Sequence, residues 1–185
     1  MIIGGVLLRL MPHIANFAPI SATALFGGAN LNKRFAILIP LIAMAISDYL
    51  LLYINPFGNP MIDFSHIQPI TAMFHSTTLY VWGSFAISGL IGNWLKKHKK
   101  PSYIVAASFL ASIQFFIITN YGVWAGGMYN RGSDGLMESY IMGLPFFKWT
   151  LLGDLFYTGV FFSSYELALR MGKKTYLIFS TAIVR

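Results

Sequence analysis

The 185-residue chain contains no cysteine and little charge: 13 Lys and Arg, 6 Asp and Glu, and 10% charged residues against 56% hydrophobic. Without cysteine, neither a disulfide framework nor a thiolate metal site is available. With so little charge, a chain of this length cannot cover a soluble surface. Its mean hydropathy of +0.64 points the same way, to an integral membrane protein. Motifs are missing too. No Walker-type phosphate loop is present, so the chain is not expected to hydrolyse ATP itself. Neither a His-Glu-x-x-His helix nor a Gly-x-Ser-x-Gly elbow occurs. His13, His66, His75 and His98 are scattered without ligand spacing. These gaps argue against an enzyme, a metal site and a resident cofactor. No cleaved leader is expected either, because the first apolar stretch lacks a basic start and Arg9 interrupts it.

A formal net charge of +7 would suggest nucleic acid on a soluble protein. Here the basic residues sit at the ends of apolar runs, where they set topology and meet anionic headgroups. Four long apolar runs cover Phe35–Tyr53, Phe74–Leu95, Ser102–Thr119 and Phe146–Leu169. Each approaches the ~20 residues a helix needs to cross the hydrocarbon core. Two shorter runs, Ile2–Leu10 and Ile20–Leu31, flank a corner at Pro12–Pro19. If all six cross, Lys33 and Arg34, the Lys96–Lys100 cluster, and Arg170, Lys173 and Lys174 fall on one side. The Asn55–Ala72 loop on the other side has no Lys or Arg. This asymmetry predicts both termini in the cytoplasm.

Polar groups are costly in a bilayer, so their depth is informative. Asp48 lies ~7 Å from the outer end of its run and Asp154 ~12 Å, at 1.5 Å rise per residue. Gln114, His75, Thr119 and Asn120 cluster in the same outer half. Asn16 and His13 sit in the proline corner, where backbone groups lack helical partners and are tolerated only against protein or a wet cavity. The corner therefore reads as one wall of an outward-facing pocket. Structural roles compete for each residue. Asp48 and Asp154 are candidates for ion pairs with Arg9 or Lys148, His75 for a helix cap, and Gln114 for a bond to a neighbouring helix. The outer segment Asn120–Pro145 reads as a long loop. Its Trp124, Tyr129 and glycines suit a lid over a small-molecule site, and its aromatics equally suit an interfacial belt.

Two strings echo each other: NFAPISATALFGGANL followed by PLIAMAISDYLL, and NYGVWAGGMYN followed by PFFKWTLLGDLF. Each has Asn with an aromatic, a Gly-Gly pair, a proline opening a helix and an aspartate about two turns on. Repeats with an odd number of helices per half would be inverted, as in transporters that bind at the repeat interface. Ala24 and Gly28, Ala107 and Ala111, and Ser84, Ser88 and Gly92 supply small residues at helical spacing for close packing.

The strings RLMPHIANFAPISATALFGGANL, PLIAMAISDYLL, FFIITNYGVWAGGMYN and GLPFFKWTLLGDLFYTGVFF, from Arg9 to about Phe162, resemble an uncharacterised domain-of-unknown-function family of membrane proteins ascribed to transport. That family is similar to the substrate-binding S components of energy-coupling-factor (ECF) transporters. The resemblance implies a six-helix bundle that captures a vitamin-like nutrient or metal ion from outside. It also implies pairing with a transmembrane coupling subunit and cytoplasmic ATPases. S components present small residues on their first helix for that pairing. Here the first helix has no Ala-x-x-x-Ala, and Ala24 and Gly28 on the second are the substitute.

The resulting expectation is an all-α, polytopic integral membrane protein with about six transmembrane helices, the first two short. Residues 1–185 form a single domain in the plasma (inner) membrane, with 171–185 an interfacial or flexible cytoplasmic tail. The chain is expected to bind a vitamin-like or cationic small molecule as the substrate-binding component of a nutrient uptake transporter. Asn16, Asp48, Gln114, Asn120, Trp124, Tyr129 and Asp154 are the expected pocket residues. A stand-alone proton-coupled carrier or channel using Asp48 and Asp154 is the alternative. An intramembrane enzyme or a scaffold is the third possibility.

Overall fold

The computed structural model describes residues 2–11 and 16–183, with side chains up to residue 172. Pro12 and His13 of the corner lie outside the described residues. The described residues form six helices: α1 (Ile2–Leu10), α2 (Ile20–Asn30), α3 (Lys33–Leu50), α4 (Thr78–Leu95), α5 (Pro101–Ala125) and α6 (Ser133–Ile183). A 3-10 turn at Ile70–Met73 precedes α4. The only extended pairing among them is an isolated bridge between Ile54 and Ile62. The protein is all-α, as expected.

Helix ends follow the local chemistry. Pro101 opens α5 at a position where its missing N–H costs nothing. The two shortest helices stop beside the proline corner and before Lys33. The expected long loop at Asn120–Pro145 is a correction: α5 continues to Ala125, α6 begins at Ser133, and only residues 126–132 connect them. Its glycines mostly serve packing. Gly122 faces the Tyr80 ring and Gly143 faces the Asn120 amide, each too close for a Cβ. Only Gly127 and Gly132 need positive φ, at 83° and 130°. α6 runs on as helix to Ile183, through most of the stretch 171–185 expected as a tail. Neither repeat proline opens a helix. Pro40 lies inside α3 and Pro145 inside α6.

α2 is the central post. It touches α3, α4, α5 and α6, and nine of its eleven residues are buried. Such contact requires bare backbone. A Cβ on Gly28 would strike the carbonyl of Gly89, and one on Gly92 would strike that of Leu25. Pro40 has no N–H to give the Ala36 carbonyl four residues back. The bare Cα of Gly89 packs against that oxygen instead.

The two ends of the bundle differ. At one end, Lys99 donates to the Asn30 side chain at 3.0 Å, joining the basic α4–α5 turn to the α2–α3 turn that holds Lys33 and Arg34. Phe26, one turn before Asn30, meets Phe162 and Tyr165 of α6 at 5.2 and 5.4 Å. Arg170 follows one turn later and pairs with Glu166. The three basic clusters thus begin at the same end. The interior there is packed around Leu25, Ala29, Leu95, Ala107 and Ala111. Towards the other end a second cluster, with Val6, Ile20, Met44 and Phe85, borders open space.

The distribution of polarity is inverted relative to a soluble bundle. Ser21, Thr23, Ser47, Asp48, Ser84, Ser88, Ser108, Ser112, Asp154 and Thr158 are all buried. Phe35, Leu38 and Ile42 of α3, Val105, Leu110 and Ile117 of α5, and Phe146, Leu152 and Phe156 of α6 are exposed. Among the described residues, α5 alone is long and apolar enough by composition to cross a membrane unaided. The others are diluted by what they bury or cap: Lys33, Arg34 and Asp48 in α3, serines and Asn93 in α4, Lys148 and Asp154 in α6.

Candidate functional site

Two buried aspartates each fasten three helices. Asp48, near the end of α3, receives Arg9 Nη1 from α1 on Oδ1 at 2.5 Å. Its Oδ2 receives the indole N–H of Trp82 from α4 at 2.8 Å. The same Arg9 nitrogen donates to Ser47 Oγ at 2.5 Å. A guanidinium with two acceptors on one helix is a fixed charge, and the carboxylate it meets is fully partnered. The ion pair with Arg9 foreseen as the structural alternative for Asp48 is therefore formed.

Asp154, two turns beyond Pro145 in α6, is 2% exposed. Its Oδ2 accepts from Ser112 Oγ of α5 at 2.7 Å, and Ser21 of α2 supplies a second side-chain hydrogen bond. Among the described residues no cation is bonded to it. Lys148, its other expected partner, lies over the Trp149 ring at 5.2 Å. Among the described residues the salt bridges are Arg9–Asp48 and Arg170–Glu166. Gly153 beside it lets α6 approach the chain at Phe17, where a Cβ would fall 3.1 Å from Phe17 Cα.

Between the two aspartates lies a chamber of about 300 Å³, whose wall includes Arg9, Asn16, Asp48, His75, Thr150 and Asp154. Apolar side chains of Ile20, Met44, Val81, Phe85 and Phe115 complete it. Its helices and loops belong to the end opposite the basic clusters. A wider vestibule of about 620 Å³ adjoins it, between Arg9, Asn16 and the 51–63 segment. A side cavity of about 240 Å³ runs past Thr119, Asn120 and Phe147. Asn16 lines all three. Its φ of 65° is a conformation that asparagine tolerates better than most residues.

Asn16, Asp48 and Asp154 of the expected site thus share one chamber, despite the distance between them in sequence. The two echoing strings deliver their aspartates to the same space. Asn120 lines the side cavity only, with its amide donating to the Phe116 carbonyl at 2.8 Å. Gln114 is elsewhere: its amide nitrogen bonds the Ser84 carbonyl and Ser88 Oγ, both at 3.0 Å, clasping α5 to α4. Trp124 donates to the Asn130 carbonyl at 3.2 Å in the α5–α6 turn. Neither Trp124 nor Tyr129 is among the residues lining the three cavities. His75 lines the chamber but is not the cap expected for α4, whose N-cap is Thr77. The His75 backbone N–H donates to Thr78 Oγ1 at the start of α4, and Thr77 Oγ1 lies 2.8 Å from its Nδ1.

Trp82, Ser112, Ser21 and Thr150 were not foreseen. Ser108 and Ser112 stand four apart, the same spacing as Ser84 and Ser88, and that was the available signal for a polar face on α5. Exposed loop chemistry is ordinary by comparison. Asp63 accepts the Ser65 N–H at 2.8 Å, and the Ser65 side chain, followed by its backbone, holds the Asp63 carboxyl below the usual range. Among the described residues there is no cluster of three or more His, Cys, Asp or Glu that would hold a metal ion.

The chain belongs to a family of unknown function, DUF6580, whose sequence model matches residues 1–177. No curated protein and no solved structure matches it.

Proposed function

We propose that this protein is a membrane-embedded binding component that captures a small molecule from the extracytoplasmic side. The observation that carries the proposal is the chamber between Asp48 and Asp154, a polar hollow inside a bundle whose outer surface is apolar. A hydrophilic interior under a greasy exterior fits lipid as the surrounding solvent. The gathering of Lys33, Lys99 and Arg170 at the opposite end supports a cytoplasmic assignment for that end. On this topology all six helices are membrane segments. The chamber is then reached through the vestibule from outside. A ligand in it would contact Asn16, Thr150 and Asp154, while Arg9 and Asp48 hold one wall in shape. The resemblance of the sequence strings to ECF-type S components supports pairing with a coupling subunit and ATPases that would power release inward. Ala24 and Gly28, the substitute pairing residues, are both buried within this bundle. A coupling subunit would therefore have to dock on another face.

One observation favours a second reading, a stand-alone proton-coupled carrier. Asp154 has hydroxyl partners and, among the described residues, no cation, which suits a site that exchanges a proton. The two readings separate on reconstitution of the chain alone in liposomes, because only the carrier would move solute under an imposed pH gradient. The capture proposal is tested by native mass spectrometry of the purified protein. A co-purifying small molecule is expected from wild type and depleted in Asn16→Ala and Asp154→Asn. Retention of that molecule by both variants, and by Asp48→Asn, would remove the site assignment.

A further inference from the structure

The chamber contains an unequal set of charges. Arg9 and Asp48 neutralise each other, and Trp82 occupies the remaining Asp48 oxygen. His75, the other titratable group in the wall, makes no ion pair among the described residues and keeps its Nδ1 at Thr77. That leaves Asp154. It is 2% exposed, faces the chamber and, among the described residues, is bonded through serine hydroxyls. A buried carboxylate without a counter-charge is unfavourable by several kcal/mol when ionised. Among the described residues the charge that would answer it, a positive one, is not supplied.

The rest of the wall defines what could bring it. Phe85 and Phe115, from α4 and α5, meet at a centroid distance of 5.0 Å and both line the chamber. Aromatic faces attract an organic cation, and with Ile20 and Met44 they shelter an apolar body. A hydrated metal ion would find few oxygen donors here, and no metal-binding cluster is present among the described residues. The volume of about 300 Å³ is at the small end for ligand pockets.

We infer that the chamber selects a compact organic ammonium ion, with its charged head on Asp154 and its apolar body against Phe85 and Phe115. This deepens the capture reading and rests on it. Arg9 sets the selectivity from the other wall. Held by Asp48 at the mouth shared with the vestibule, it makes that approach neutral and keeps Asp48 from competing for the cation.

The test compares two probes of nearly equal shape, 2-phenylethylammonium and its neutral analogue 2-phenylethanol, on the full chain in lipid nanodiscs. Binding is read from the thermal midpoint and from tryptophan emission, to which Trp82, bonded to Asp48 of the chamber wall, contributes. The ammonium probe is expected to bind wild type at least about tenfold more tightly than the alcohol. Asp154→Asn is expected to erase the preference, and Phe115→Leu to weaken it. The wild-type comparison stands even if a variant fails to fold. Equal binding of both probes overturns the cation assignment and leaves capture of small molecules intact. Tighter binding of the alcohol does the same. Binding of neither probe overturns the assignment too; if native mass spectrometry also finds no co-purifying molecule, the capture reading falls with it.

Discussion

Asp48 and Asp154 are the same residue type, both buried, each joining three helices across one chamber, and they are solved differently. Asp48 is locked by a guanidinium and an indole N–H, leaving it no free oxygen for a ligand. Asp154 is held by hydroxyls, which can donate to a carboxylate and turn elsewhere when it binds something else. On the proposed reading the difference separates scaffold from site: full charge compensation builds a wall, and incomplete compensation leaves a place for a ligand. It also shows why burial and acidity alone did not identify the working group.

Removing Arg9 is the strongest way to break the comparison. Arg9→Met leaves the Asp48 charge buried and unpaired, with an expected loss of ~3–5 kcal/mol. Denaturation in detergent or nanodiscs would measure it, and adding Asp48→Asn should restore most of the loss. Trp82→Phe takes the N–H from the other Asp48 oxygen, a hydrogen bond to a charged group expected to contribute ~1.5–3 kcal/mol. Asp154→Asn should leave stability unchanged or raise it, because the amide oxygen still accepts from Ser112, no ion pair among the described residues is lost and an uncompensated buried charge is removed. If Asp154→Asn proves as damaging as Arg9→Met, the two aspartates are both structural and the contrast fails.

Asp63 supplies the smallest effect and a control in water. Its carboxyl is held below the usual range by Ser65. The sign for a depressed carboxylate is that the contribution is complete above its unfolded value, near ~4, and is lost as pH falls through the lower folded value. The Ser65 amide resonance should therefore shift at acid pH with an apparent pKa below that of an unfolded aspartate. A normal or raised value would show that the 63–65 turn does not hold the carboxylate.

Much of the helix framework was legible, and for identifiable reasons. α1 and α2 end beside Pro12, Pro19 and Lys33, which are punctuation that tertiary contacts do not override. α4 starts at Thr78, later than the apolar run from Phe74, because His75 and Thr77 form a turn ahead of it. The stretch from Asn120 to Pro145 misled because glycine has two uses. Gly122 and Gly143 are there to admit Tyr80 and Asn120, and that requirement is visible only once helices are placed side by side. At the site, the placement of Asn16, Asp48 and Asp154 towards the end of the bundle opposite the basic clusters could be read from their positions relative to the apolar runs. Their lateral meeting could not, since a helix pattern gives height and leaves rotation about the axis open. Gln114 illustrates this. It lies at a height similar to the site residues and turns towards Ser84 and Ser88 instead.

The glycine seam between α2 and α4 has a mechanical corollary. Where backbone rests on backbone, as at Gly28 on Gly89 and Gly92 on Leu25, no side chain is available to flex and absorb a slip. The pair behaves like an engaged clutch: the two rods turn and shift together. Widening of the space between the aspartates therefore falls to the outer staves, α1 with the end of α3 beyond Pro40 on one flank and α6 on the other.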